Sequence, residues 1–435
     1  MDQTHPHSLR YSRSEDMLEA ALEVIPLASQ TFSKSLTQYP RGVSPFFIQR
    51  GKGSTVWDVD GNAYVDFNNG LASVTLGHAD PDVNAAVADQ LQDGITFPLA
   101  HPLEAEVARL IIEMVPSADM VRFGKNGSDA TSGAIRAARA FTGRDRVAVC
   151  GYHGWQDWYI GSTARNKGVP KATRDLTHAF PFNDLAALDA LFSAHPGEFA
   201  AVILEPMNTT FPADGFLQGL IDRAHAHGAL VVFDETITGF RYSEGGAQEL
   251  FGVTPDLSCF GKGLANGFPL SAVVGRADVM REFEDVFFSF TMGGEAMSLA
   301  AAKAALTKLR TDNVIARLHQ LGERVEAGTK ALIAKHGCAD FLGFAGHPTW
   351  SFLTMSDCNG VSSFEIKTLW MQEILERGFI SVGTHNVSFA HSDDEIDRLL
   401  AAYDDIFPLL KTAVEERAIR QYLRCEPLVP LFKLR

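Results

Sequence analysis

Lys262 has the most unusual setting in this chain, inside SCFGKGLANG (258–267). Glycines flank it on both sides, and a short apolar segment leads into it. A lysine in a tight glycine turn adds little to solubility. Desolvation lowers the pKa of such an amine and readies it for Schiff-base chemistry with a carbonyl. Asp234 directly follows the apolar run LVVF (230–233). A carboxylate there is partly buried, which is costly without a cationic partner such as a protonated ring nitrogen. Glu205 stands in the same way after AAVIL (200–204). Gly151-Tyr152-His153-Gly154 brackets two aromatic rings with glycines. Gly124-Lys125-Asn126-Gly127-Ser128 joins a strand to a helix, where free amides and a hydroxyl suit a phosphate.

Each group also has a plainer reading. The Ser128 turn can be an ordinary helix cap, Tyr152 and His153 can be core residues, and Glu205 can cap its loop. Together and in this order, they supply what pyridoxal phosphate requires: a phosphate cup, a stacking ring, an aspartate for the pyridinium nitrogen and a lysine for the aldehyde. Two competing motifs are absent. The lysine of a phosphate-binding P-loop is followed by Ser or Thr, whereas Gly263 follows Lys262. Gly51-Lys52-Gly53 reaches Val56 where a dinucleotide fingerprint needs its last glycine.

The elements that must position these groups are legible in the hydrophobic pattern. A helix is expected over 15–24, capped by Ser14 and Asp16 and stopped by Pro26. Alternation over Phe46 to Phe67, with a turn at Asp60-Gly61-Asn62, predicts a small antiparallel sheet. Beyond residue 80, helical patterns alternate with short apolar runs. Strands are expected at 120–123, 147–150, 200–204 and 230–233. Helices are expected at 81–94, 102–115, 128–142, 216–227, 296–310 and 313–335. All-apolar strands separated by helices indicate an α/β fold with a buried, mostly parallel sheet. Each candidate group then falls at the carboxyl end of a strand, where such sheets bind ligands.

Composition sets the outer bounds. The 435 residues are 46% hydrophobic and 21% charged, an ordinary globular balance. The formal charge of −15 shows no basic stripe, so no nucleic-acid partner is expected. The five cysteines include no CxxC pair, so neither a disulfide framework nor a structural metal site is expected. The polar start lacks a signal peptide's apolar stretch, and no apolar run is long enough to span a membrane. A cytoplasmic protein without membrane partners is the expectation.

The motifs resemble the class III aminotransferases of fold type I, and most of all the glutamate-1-semialdehyde 2,1-aminomutase branch. The resemblance rests on DETITGFR (234–241), GGAQELFGVTPDL (245–257), GKG (261–263), VRFGKNGSDA (121–130), RAFTGRDRV (139–147), YHG (152–154) and VILEP (202–206). It covers roughly residues 15 to 410. It implies a large cofactor domain over 71–312. It also implies a small α+β domain built from both chain ends, 1–70 and 313–435. Lys262 would carry the Schiff base and serve as general base and acid. Asp234 would hold the pyridinium nitrogen, with Tyr152 on one ring face and Thr236 under the other. Asn126, Gly127 and Ser128 would form the phosphate cup. His153, Glu205 and Asn208 would lie around the ring. Thr291 would reach the phosphate of a partner subunit, which implies a homodimer with shared active sites.

The chain departs from this family where substrate would bind. Lys34 falls near an arginine that holds the substrate carboxylate, and lacks its bidentate fork. The stretch after YHG is shorter and carries Trp155 and Trp158. His385 and Asn386 stand where the family has a glutamate. The loop after Thr291 reads Met292-Gly293-Gly294-Glu295 instead of SGNP. These departures favour an aminotransferase moving nitrogen from an amino-acid donor to an aldehyde or ketone. Trp155, Trp158, His385 and Asn386 would suit a sugar-derived acceptor. A true aminomutase and a catalytically silent binding protein are the alternatives.

Overall fold

The computed structural model of the protein describes residues 9–429. The chain divides into two compact units. One is Pro81–Ile315; the other combines the residues up to Asp80 with those from Ala316 onward.

In the discontinuous unit, the alternating segment forms β1 (Ile48–Lys52), β2 (Thr55–Asp58) and β3 (Ala63–Asp66), paired antiparallel. The β2–β3 turn is closed by Asp58, whose carboxylate accepts the Asn62 amide at 2.7 Å and the Asn62 Nδ2 at 2.8 Å. The preceding helix runs Ser12–Val24, so it starts before the expected cap. Ser14 lies inside it, buried, with its Oγ accepting the Phe46 amide at 2.7 Å. The first-turn amides are satisfied from a distance instead: Asp60 accepts Arg13 N at 2.8 Å and Ser14 N at 3.0 Å.

The continuous unit is built on seven strands. They are β4 (Met120–Gly124), β5 (Arg146–Cys150), β6 (Thr177–Ala179), β7 (Phe199–Leu204), β8 (Leu230–Asp234), β9 (Leu257–Phe260) and β10 (Ser271–Gly275). Their order is β4-β10-β9-β8-β7-β5-β6. The run from β6 to β9 is parallel, and β10 is antiparallel to both β4 and β9. β4 therefore points the same way as the five parallel strands, and six strands end at one edge. Val147, Val149, Ile203 and Val232 enter one buried cluster with the helix Gly127–Thr142. Ala148, Val202, Leu204, Val231 and Phe233 enter another with the helix Phe216–Ala226. Alternate residues thus point to opposite covered faces, which explains why these strands read as unbroken apolar runs.

The discontinuous unit is completed by β11 (Leu342–His347), β12 (Trp350–Met355), β13 (Phe379–Ile380) and β14 (Thr384–Asn386). β13 joins the N-terminal sheet in parallel beside β3, while β11, β12 and β14 form a separate antiparallel sheet. Among the described residues, no helix is long and apolar enough to cross a membrane.

Candidate active site

The edge at which the parallel strands end brings the expected groups together. Gly127, at the start of the helix after β4, lies against Gly261: a Cβ at Gly261 would stand 3.9 Å from Gly127 Cα and 3.4 Å from the Thr236 methyl. The Thr236 methyl also lies 3.0 Å from where a Gly127 side chain would begin. The turns after β4, β8 and β9 therefore meet around Thr236, with Lys262 next in sequence to Gly261.

Asp234 is buried at the end of β8. Its Oδ1 accepts the Thr236 amide at 3.1 Å and the Thr236 hydroxyl at 2.5 Å. Its Oδ2 is 2.9 Å from His153 Nδ1. His153 Nε2 is 3.2 Å from the Cys150 carbonyl oxygen. The imidazole thus bridges the buried carboxylate and the Cys150 carbonyl, and gives Asp234 a polar partner within the protein. The Thr131 hydroxyl donates to the His153 carbonyl at 2.8 Å, fixing this turn to the helix Gly127–Thr142.

Glu205, after β7, closes the other side. Its Oε2 accepts the Tyr152 amide at 3.0 Å and Asn208 Nδ2 at 2.9 Å. Burial, with the Asp234 charge adding to it, holds the Glu205 carboxyl above its ordinary value. Its closeness explains Gly151, which has φ +106: a Cβ there would lie 2.5 Å from Glu205 Oε2. Gly154 has φ +103, and its Cβ would come within 3.0 Å of the Ser128 backbone Cα.

Lys262 is largely shielded from solvent and adopts φ +45, a left-handed conformation that is strained for a lysine. Burial brings its ammonium down to about 8; the carboxylates of Glu205 and Asp234 oppose this, and Arg241 adds to it. The buried Arg241 guanidinium was not foreseen as part of the site, although it ends the DETITGFR string. Burial lowers it to about 10.

At the proposed cup, Asn126 and Asp129 form a capping box. Asn126 Oδ1 accepts Asp129 N at 3.2 Å, and Asp129 Oδ2 accepts the Lys125 and Asn126 amides, each at 3.0 Å. The next amides, of Gly127 and Ser128, belong to the helix's first turn and have no intrahelical acceptor. Ser128 Oγ accepts the Trp155 amide at 3.3 Å. A free helix start, an amine held partly neutral, an acid paired with histidine and a glycine-lined gap between turns together fit pyridoxal phosphate.

The remaining residues have varied surroundings. Tyr152 is 61% exposed, so its ring is open to a stacking partner, and it meets Tyr159 edge-on at 5.6 Å. Thr291 is exposed on the loop before the helix Ala296–Thr311. Trp155 is 63% exposed. Trp158 instead is buried, with its Nε1 donating to Ser132 Oγ at 2.9 Å. Lys34 is exposed on the short turn Phe32–Lys34 of the discontinuous unit.

The packing contradicts the expectation that His385 and Asn386 face a substrate. His385 is completely buried, 2.7 Å from Tyr403 Oη and 3.2 Å from Ser351 Oγ, and burial brings it down to about 3. Asn386 is also buried, with Nδ2 donating to the Asn68 carbonyl at 2.7 Å. Of the four groups suited to a sugar-derived acceptor, only Trp155 is exposed.

The chain is similar to known proteins over most of its length. Residues 38–341 match a family model described as aminotransferase class-III. A glutamate-1-semialdehyde 2,1-aminomutase from Roseiflexus castenholzii (strain DSM 13941 / HLO8) is 37% identical, covering 86% of this chain and 93% of its own. The FumI protein of Sphingopyxis sp. MTA144, solved with pyridoxal phosphate, superposes with a TM-score of 0.86 at 29% identity. That match covers 95% of this chain and all of FumI. An omega-transaminase from Sphaerobacter thermophilus gives a TM-score of 0.82 at 29% identity, over 92% of this chain and 98% of its own.

Proposed function

This chain belongs to the class III aminotransferases, which use pyridoxal phosphate, and on that premise we propose that it carries an amino group from an amino-acid donor to an aldehyde or ketone. The observation that carries the proposal is the convergence of Lys262, the Asp234–His153 pair and the open helix start at Gly127 on one sheet edge. When bound, pyridoxal phosphate supplies an electrophilic aldehyde and an electron-accepting ring. Lys262 Nζ, brought down to about 8 by burial, would hold that aldehyde, and the same Nζ is placed to take and return a proton beside the carbon of a bound amino donor. Asp234 would pair with the ring nitrogen, and His153, 2.9 Å from its Oδ2, aims the carboxyl group. Glu205 fixes the Tyr152 turn, so that the exposed ring would cover one face. The first-turn amides of Gly127 and Ser128 and the Ser128 hydroxyl would hold the phosphate.

Lys34 in place of an arginine and the short segment after YHG support transfer between separate molecules. The 37% identity to an aminomutase supports a second reading, transfer within one molecule. Donor glutamate labelled with ¹⁵N separates the two. Label is expected in the aminated product; isomerisation of an amino aldehyde with no entry of label would overturn the aminotransferase reading.

The functional unit is proposed to be a homodimer. Ile95, Phe97, Leu99, Phe290 and Met292 are exposed apolar side chains. Their two segments are joined by Ala296 N donating to the Ile95 carbonyl at 2.8 Å. Such a patch favours burial against a second copy. Sedimentation should give twice the chain mass for the natural protein and a shift toward the single-chain mass for Leu99→Asp. A natural protein that sediments as one chain at micromolar concentration disproves the dimer.

A further inference from the structure

Lys125 lies between β4 and the helix whose first turn forms the proposed cup. A free ammonium there would be an obvious phosphate ligand. Its Nζ is instead 2.9 Å from Glu295 Oε1, and the two side chains are only 18% and 11% exposed. Glu295 also caps the helix Ala296–Thr311, accepting Met297 N at 3.0 Å and Ser298 N at 3.1 Å. Burial pushes its carboxyl up, but Ser298 and Lys125 outweigh that and leave it below its ordinary value. The loop leading to Glu295 is held twice more by the same strand–helix unit. Arg122 Nη2 donates to the Phe288 carbonyl at 3.1 Å, and Arg136 Nη1 to the Phe287 carbonyl at 3.1 Å. Within the loop, Gly293 N donates to the Phe290 carbonyl at 3.0 Å, and Met292 Sδ accepts the Thr96 hydroxyl at 3.6 Å. Three cations from β4 and the following helix thus fasten the loop that carries the exposed Thr291.

We infer that Lys125 is a positioning residue: through Glu295 it locks the Thr291 loop to the chain's own phosphate-binding turn. The inference rests on the homodimer proposed above, with Thr291 reaching the partner's phosphate as the family resemblance implies. Each chain's phosphate turn then sets how tightly the partner holds its cofactor. Lys125 itself, committed to Glu295, leaves the phosphate to uncharged donors. Removing one member of a largely buried pair strands the other, so the effect should exceed that of a surface ion pair.

The test is equilibrium dialysis of pyridoxal phosphate against the full-length apo-protein, with the thermal midpoint measured alongside. Lys125→Met and Glu295→Gln should each weaken cofactor binding about tenfold. The double variant should be no weaker than either alone, and Lys125→Met should add nothing to Thr291→Ala. Tighter or unchanged binding in Glu295→Gln, with weaker binding in Lys125→Met, would mean that Lys125 contacts phosphate directly and would overturn the inference. A lowered thermal midpoint with unchanged affinity in both variants reduces the pair to a structural clamp and overturns it too. If Thr291→Ala weakens binding and Lys125→Met does not, the inference fails while the shared-site dimer stands. If Thr291→Ala has no effect, the shared site itself is wrong.

Discussion

Lys262→Ala is expected to lower single-turnover amino transfer by at least about 10⁴-fold, since one amine is proposed to serve as both cofactor anchor and proton carrier. The loss should come without unfolding. The left-handed φ of +45 at this position burdens alanine no more than lysine, so the thermal midpoint should hold. The electrostatics add a pH signature. Only the neutral amine attacks an aldehyde, and burial places its titration at about 8. Capture of pyridoxal phosphate by the apo-protein should therefore slow by about tenfold per pH unit on going below 8, and level off above it. A capture rate still climbing steeply past pH 9 would mean that the amine is not desolvated as the packing implies. A Lys262→Ala protein with transfer within tenfold of the natural rate would remove Lys262 from the chemistry.

Asp234→Asn is expected to leave cofactor capture nearly intact and to slow the half-reaction with an amino donor by about 10²–10³-fold. The cup and Lys262 lie on other turns, so the cofactor still finds its anchors. The substitution removes the carboxyl group proposed to face the ring nitrogen. It also leaves His153 Nδ1, now 2.9 Å from a carboxylate oxygen, beside a neutral amide. The readout is the single-turnover rate at saturating donor, taken with the cofactor dissociation constant. Equal losses in both would recast Asp234 as an anchor only, and the proposed division of roles would fail.

The sequence revealed residues whose setting is local. Lys262 between glycines, Asp234 and Glu205 at the ends of apolar runs, and the Gly127 turn before a helical pattern all declare themselves within ten residues. The expected helices over 81–94, 102–115 and 128–142 appear as Pro81–Asp93, Pro102–Met114 and Gly127–Thr142, because each has strong periodicity and an end signal nearby. What stayed hidden depends on distant chain. Nothing around His153 announces Asp234, and nothing around Lys125 announces Glu295. His385 looked like a substrate group because histidine is polar. Tyr403, Ser351 and the Phe344 ring stacked at 5.7 Å make it part of a core. The Ser12–Val24 helix was misjudged at its start because its cap is the remote Asp60.

The position of β4 has a consequence for the order of assembly. This strand leads into the proposed phosphate-binding turn, yet among the described residues its only neighbour in the sheet is β10, where Gly124 pairs with Ser271. On a ribosome, the turn emerges long before the strand that must dock beside it. Closing so long a loop adds little entropy penalty beyond that of a medium one, but such distant pairing is slow. The phosphate turn is thus among the last parts of the sheet to be secured, after Lys262 has already been synthesised.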